Sequence, residues 1–254
     1  MALQALIIDL DDTLLIDIPA TQNTLENLGQ WLGLDPKAFA ESTWEIAKKH
    51  WQTSPVYDFT KSIGHSASEG LWSEYSSEHP EFQKLGKWIP TYRQNTWSES
   101  LKTFGLDDPK LAEQASERYI EERSENQKLF PGTLETLEKL KSKYKLALLT
   151  NGNPDLQWFK IKATGLEPYF DPIIISGEFG IGKPDPRIFK FTLQKLGLKP
   201  SEVLMIGNNP IADIEGASQA NIRSILFGQN AQKTEAGEPP TSIKKISELL
   251  TLKS

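Results

Sequence analysis

The amino-acid sequence predicts an α/β fold: a parallel sheet with an all-helical segment inserted after its first strand. Three observations predict it. Ala5-Leu6-Ile7-Ile8 is a short apolar run of the kind shown by a strand buried on both faces, and the chain then meets the carboxylates of Asp9, Asp11 and Asp12. Residues 16–128 place apolar side chains at intervals of three and four and contain no alternating strand. From Leu129 onward helical and strand patterns alternate in the order of a parallel sheet. The core domain is therefore expected to be discontinuous, 1–15 with 129–254, and 16–128 to be a helical domain inserted into it. An insertion at that point is a candidate lid over the C-terminal edge of the sheet.

In chain order, the insertion reads as helices from Thr21 to Leu34, Pro36 to Trp51, Ser66 to Ser77, Lys84 to Phe104 and Pro109 to Glu125. Asp35-Pro36 and Asp108-Pro109 carry the signature of an N-cap followed by proline in the first turn. The second half reads as helix Leu134 to Lys143, strand Lys145 to Thr150, helix Asp155 to Thr164 and strand Pro172 to Ser176. Helix Pro186 to Leu196, strand Val203 to Ile206, helix Ile211 to Gln219 and strand Arg223 to Phe227 follow. The polar stretch Gly228 to Pro240 reads as a loop, and Ile246 to Leu250 as the last helix.

Composition narrows the function classes. With 254 residues and 38% apolar side chains the chain can bury a sizeable core. The absence of cysteine excludes disulfides and thiolate metal sites and fits a reducing compartment. A formal charge of −6 disfavours non-specific nucleic-acid binding. No run is long enough to cross a bilayer, and no basic segment precedes the first apolar run, so the chain is expected to be soluble, cytoplasmic and without a membrane partner.

The ends of the strands carry the chemistry. Asp9, Asp11 and Asp12 admit two readings: an acidic turn or helix cap, or a divalent cation held beside a nucleophilic carboxylate. Thr150-Asn151-Gly152 follows a second strand. Asn-Gly is a hairpin signal, but the helical pattern after it favours a strand-to-helix loop whose hydroxyl and N–H groups face a ligand. In Gly180-Ile181-Gly182-Lys183-Pro184-Asp185-Pro186 two prolines stiffen the chain around Lys183, which at a sheet edge can neutralise a phosphate or a neighbouring carboxylate. Gly207-Asn208-Asn209-Pro210-Ile211-Ala212-Asp213 closes a further strand.

In this order and spacing, Asp9 to Leu14, Thr150 to Gly152, Lys183-Pro184 and Gly207 to Asp213 resemble the four motifs of the haloacid dehalogenase-like hydrolase superfamily. The resemblance runs along the whole chain, including the lead-in Leu129-Phe130-Pro131-Gly132. It implies a doubly wound, Rossmann-like parallel sheet with an inserted helical C1 cap, and places the chain with the C1-capped phosphatases. The Thr-Asn-Gly motif is similar to nucleotidase-like and sugar-phosphate phosphatase branches. Gly70-Leu71-Trp72-Ser73 and Pro90-Thr91-Tyr92-Arg93 resemble members assigned to phosphoserine hydrolysis.

Carried over residue by residue, the resemblance implies a Mg²⁺-dependent phosphomonoesterase. Asp9 attacks phosphorus and becomes an aspartyl-phosphate, while Asp11 protonates the leaving oxygen and later activates water. Asp9, the Asp11 carbonyl, Asn208 and Asp213 hold Mg²⁺. Thr150 and Asn151 bind and orient the transferring group, and Lys183 compensates charge. Asp12 serves the turn. An acid at position 11 also argues against dehalogenation, since a halide leaves without a proton.

One motif departs from the family. Asn208 stands where the superfamily usually has Asp, and its amide oxygen can ligate but brings no charge. Weaker Mg²⁺ binding follows as an expectation, and with it a competing reading: a binding or regulatory protein that keeps the fold with little turnover. An intramolecular phosphate mutase is allowed by the residues but not specifically favoured. The expected partner is a small phosphorylated metabolite, namely phosphoserine, a nucleotide, a flavin or a sugar phosphate, acted on by a monomer or homodimer. Six of seven tryptophans (Trp31, Trp44, Trp51, Trp72, Trp88 and Trp97) fall in the helical insertion, mostly as core packing, with one or two candidates for contact with the leaving group. His50, His65 and His79 lack metal-ligand spacing and read as packing or surface residues.

Overall fold

Every strand predicted in the second half of the chain joins the first in one sheet. The computed structural model describes residues 2–228 and 241–251, and the chain divides into two compact units. One comprises the chain up to Ile16 together with Lys128 onward, and the other is Asp17–Gln127.

In the first unit, β1 (Ala5–Ile8), β2 (Lys145–Thr150), β3 (Ile173–Ile175), β4 (Val203–Gly207), β5 (Arg223–Phe227) and β6 (Thr241–Ile243) form a six-stranded sheet. Its order is β3-β2-β1-β4-β5-β6, and every pairing is parallel. Alternate residues of each central strand feed opposite cores. Leu6, Ile8, Leu148 and Ile206 pack with Leu137 and Leu140 of α7 (Thr133–Lys141) and Ile161 of α8 (Pro154–Ala163). Ala5, Ile7, Leu149 and Met205 pack with Ile188, Phe189 and Leu193 of α10 (Pro186–Leu196) and Ala217 of α11 (Gly216–Gln219). Helices cover both faces, which is why β1 reads as an uninterrupted apolar run rather than an alternating one.

The second unit is helical throughout its regular structure: α1 (Ile18–Trp31), α2 (Pro36–Trp51), α3 (Tyr57–Ile63), α4 (Ala67–Gly70), α5 (Pro80–Thr103) and α6 (Pro109–Glu125). Asp35 and Asp108 cap α2 and α6 through their side chains, with proline following each. Two expectations fail here. The helix expected over Ser66 to Ser77 ends at Gly70, because the Arg93 guanidinium takes the Gly70 and Ser73 carbonyls at 3.2 and 2.6 Å. Gly70 also lies so close to the Trp51 ring that a Cβ would stand 2.3 Å from it. And α5 starts at Pro80, ahead of Lys84, with the His79 ring accepting from the Glu81 N–H. Short α3 and α9 (Ser176–Phe179) and strand β6 carry too little periodicity to be read from sequence. The segment expected as a helix from Ile211 opens instead as a π-helical turn, Pro210–Glu215. Of the loop read at Gly228 to Pro240, only Gly228 lies within the described residues.

Trp51, Trp72 and Trp97 are buried as core packing, whereas Trp31 is exposed beneath Arg118 and Trp88 is half-buried and stacked on Tyr92. His50 pairs with Glu99, and buried His65 sits between Tyr75 and Glu69. No helix among the described residues is long and apolar enough to cross a membrane.

Candidate active site

Strand β1 lies where the sheet order turns outward, with β2 on one side and β4 on the other, and open α/β sheets bind ligands at such a point. The Asp9 N–H still donates to the Ile206 carbonyl at 2.9 Å, which holds its carboxylate at the C-terminal edge. The chain then folds back: the N–H groups of Leu14 and Leu15 return to the Leu10 carbonyl at 2.9 and 3.0 Å. Asp12 takes the left-handed conformation, φ 54°, that Asp tolerates better than most residues, so it makes the turn.

Lys183 is the centre of the site. Its ammonium donates to Asp9 Oδ1 at 2.6 Å, to Asp213 Oδ1 at 2.7 Å and to the Leu149 carbonyl at 2.8 Å, which uses all three of its N–H donors. Of the two tasks the sequence left open for Lys183, these bonds serve neutralisation of neighbouring carboxylates. Burial works against its charge, but the Asp213 and Asp9 carboxylates prevail and raise its pKa. Burial pushes the Asp9 pKa from 3.8 up to about 6, with Asp213 adding to the rise and Lys183 opposing it. The second Asp9 oxygen accepts from the Thr13 hydroxyl at 3.1 Å.

The loop after β2 gives the Asn151 side chain a role that the sequence does not show. Its side-chain amide donates to the Lys183 carbonyl and accepts from the Lys183 N–H, both at 2.8 Å, so it clamps the Lys183 backbone from both sides. One donor and one acceptor of the side-chain amide are thus engaged, and a second N–H of Nδ2 remains. The Thr150 hydroxyl donates to the Asn151 carbonyl over a long 3.4 Å contact, so its proton is only weakly committed. The Gly152 N–H donates to the Ser176 hydroxyl at 2.9 Å and fixes the loop, which leads into the Asn153 cap of α8 and forms no hairpin.

After β4, Asp213 is buried on the π-helical turn, and its other oxygen accepts from the Asn209 N–H at 3.0 Å. Gly207 is required by this approach, because a Cβ there would stand 2.2 Å from the Asp213 carboxyl group. Asn208 is half-buried between them in sequence, and Asn209 caps the turn by accepting from the N–H groups of Ile211 and Ala212. Asp11 is held from α8: Lys160 donates to Oδ1 at 2.9 Å and Gln157 to Oδ2 at 3.0 Å. Neither α8 residue stood out in the sequence. Their signal is two polar side chains three apart on the buried face of a helix, visible only once that face is known.

Magnesium takes oxygen donors, commonly one or two carboxylates completed by water and substrate phosphate. Among the described residues no group of three His, Cys, Asp or Glu gathers to hold a metal. Asp9 and Asp213, drawn together by one Lys183, are two carboxylates sharing a single positive charge, and that net negative oxygen-donor set fits Mg²⁺.

The model of the haloacid dehalogenase-like hydrolases matches residues 3–221. The chain belongs to that family. It is 38% identical over 239 residues to the phosphoserine phosphatase of Thermus thermophilus, covering 94% of each chain. It is 30% identical over 163 residues to the pyrimidine 5'-nucleotidase YjjG of Escherichia coli, covering 62% of this chain and 69% of the other. In fold it is similar to Bacillus subtilis YfnB, solved bound to magnesium, with a TM-score of 0.67, 20% identity and coverage of 98% and 97%. The chain is a phosphatase of this family.

The Asn151 clamp has a steric requirement that can be tested. A Cβ on Gly182 would lie 2.6 Å from Asn151 Oδ1. Gly182→Ala is expected to displace the amide, destabilise the fold by about 1–3 kcal/mol and lower turnover up to about a hundredfold by misplacing Lys183. Phosphate release and urea unfolding of the variant check both figures.

Proposed function

We propose that the chain hydrolyses phosphate monoesters of small metabolites through an aspartyl-phosphate on Asp9, with phosphoserine the first substrate to try. The observation that carries the chemistry is the buried Asp9–Lys183–Asp213 cluster at the edge of β1. The preference for phosphoserine rests on similarity, over nearly the full length of both chains, to a phosphoserine phosphatase.

Asp9 attacks phosphorus, a bond forms from its carboxylate oxygen, and the P–O bond to the alcohol breaks. The alkoxide takes its proton from Asp11. As a carboxylate, Asp11 then removes a proton from the water that attacks the phosphorus of the aspartyl-phosphate, releasing phosphate and restoring Asp9. Lys183 keeps Asp9 and Asp213 in register by donating to both, and the Thr150 hydroxyl would donate to a phosphoryl oxygen. Asp9, the Asp11 carbonyl, Asn208 and Asp213 would hold Mg²⁺, which when bound supplies positive charge to the phosphoryl oxygens.

A second reading, a binding or regulatory protein of low turnover, is favoured by one observation, the amide of Asn208 in place of a carboxylate. Phosphate release from phosphoserine, a pyrimidine nucleoside monophosphate, glyceraldehyde 3-phosphate and flavin mononucleotide, with and without Mg²⁺, separates the two. Turnover of any of them that needs Asp9 supports the enzyme, and no release from any supports the binding protein.

Asn208→Asp is expected to tighten Mg²⁺ by about tenfold or more, since a unit charge about 4 Å from a divalent ion is worth several kcal/mol before desolvation is deducted. Calorimetric titration of both proteins with MgCl₂ measures it, and equal affinities would show that position 208 does not tune the metal.

A further inference from the structure

The second charged cluster of the core unit lies on α8, outside the four motifs. Lys160 is completely buried, and a lysine is rarely found so unless it is paired. Its ammonium donates to Asp11 Oδ1 at 2.9 Å, while the Asp11 side chain keeps a quarter of its surface open. Gln157, one turn earlier and equally buried, donates through Nε2 to Asp11 Oδ2 at 3.0 Å and to the Asn151 carbonyl at 2.8 Å. Both oxygens of Asp11 are therefore held by one helix.

The same chain of bonds continues through the Asn151 amide to the backbone of Lys183, and from its ammonium to Asp9 and Asp213. Leu156 and Ile161, beside these two residues on α8, pack as ordinary apolar core. An apolar side chain of similar volume at position 160 would spare the fold the desolvation of an ammonium group, so packing alone does not account for a lysine there.

We propose that Lys160 and Gln157 are positioning residues for proton transfer, holding Asp11 where it serves the leaving group and then the attacking water. This rests on the reading of Asp11 as the acid and base. Lys160 fixes one Asp11 oxygen from the buried side and leaves the open quarter of the carboxyl group facing out. Gln157 sets the direction, because its single Nε2 ties Asp11 to the same Asn151 that clamps Lys183.

A misplaced general acid hurts most where the leaving group needs the proton most. The test is kcat/KM at saturating Mg²⁺ for Lys160→Met, Lys160→Arg, Gln157→Leu and Asp11→Asn, on an alkyl phosphate and on 4-nitrophenyl phosphate. kcat/KM reports the step in which the ester bond breaks. Lys160→Met and Gln157→Leu are expected to lose about tenfold to a hundredfold on the alkyl ester and only a few-fold on the nitrophenyl ester. Lys160→Arg recovers most of the loss. An equal loss on both esters, or none, overturns the proposal.

Asp11→Asn separates the two levels of the argument. If it lacks the selective loss, the acid reading itself fails; if it shows the loss while the α8 variants do not, only the positioning proposal fails. Gln157→Leu leaves no buried charge unpaired, so it keeps the test open if Lys160→Met does not fold.

Discussion

Asp9→Asn is expected to reduce phosphate release to the uncatalysed background while leaving the metal-free protein at least as stable as its parent above pH 6. The loss of turnover follows from the nucleophile, since an amide cannot form the aspartyl-phosphate. The stability follows from the cluster. Asp9 and Asp213 share one Lys183, and burial with the neighbouring Asp213 charge raises the Asp9 pKa from 3.8 to about 6. Between those values the folded protein holds a proton that the unfolded chain has given up, so the Asp9 contribution to stability falls as pH rises. At about 1.4 kcal/mol per unit the full loss is about 3 kcal/mol, complete once pH passes 6. The variant has the same shape, keeps an oxygen for Lys183 and has nothing to ionise, so it escapes that loss. Urea unfolding of both proteins in EDTA at pH 4 and pH 8 should show the parent losing stability relative to the variant. A variant less stable than its parent at pH 8 would contradict this account of the cluster.

The parts of the fold legible in the sequence are those where burial leaves a periodic trace. β1, β2 and β4 are covered on both faces and therefore read as apolar runs, and the prolines at positions 36, 109 and 186 mark helix starts because each occupies the first turn. Where long-range contacts decide, the pattern is silent. Arg93 ends α4 from more than twenty residues away, and β6 is a three-residue strand at the edge of the described sheet, paired to β5.

The site divides in the same manner. Asp9, Thr150, Lys183 and Asp213 follow strands or stiffened turns, so their meeting at one edge could be read from order alone. The bonds of the Asn151 amide to the Lys183 backbone could not be read, because Thr-Asn-Gly looks like a ligand-facing loop with or without them. Gln157 and Lys160 left no signal either: helical periodicity marks buried apolar positions, and polar residues on the buried face look like its exposed side.

Lys183→Met should show the opposite balance from Asp9→Asn, losing stability and turnover together. Its ammonium is almost wholly buried and satisfies two carboxylates and the Leu149 carbonyl at once. Removing one partner of a buried ionic cluster leaves uncompensated charge, at a cost of about 3–5 kcal/mol. Asp9, whose pKa burial already raises, relieves the strain by taking up a proton. The destabilisation is therefore expected to be smaller at pH 5 than at pH 8, and Mg²⁺ at pH 8 to recover part of it by supplying cationic charge between the same oxygens. Turnover should fall about a hundredfold to a thousandfold, because Asp9 loses both its orientation and the cation beside the transferring phosphoryl group. Lys183→Arg is not expected to rescue it: a planar guanidinium cannot place donors toward three oxygens that surround a single tetrahedral nitrogen. Unfolding curves at the two pH values, with and without Mg²⁺, test the electrostatic part independently of activity. A destabilisation unchanged by pH and by Mg²⁺ would mean that Lys183 acts through packing alone.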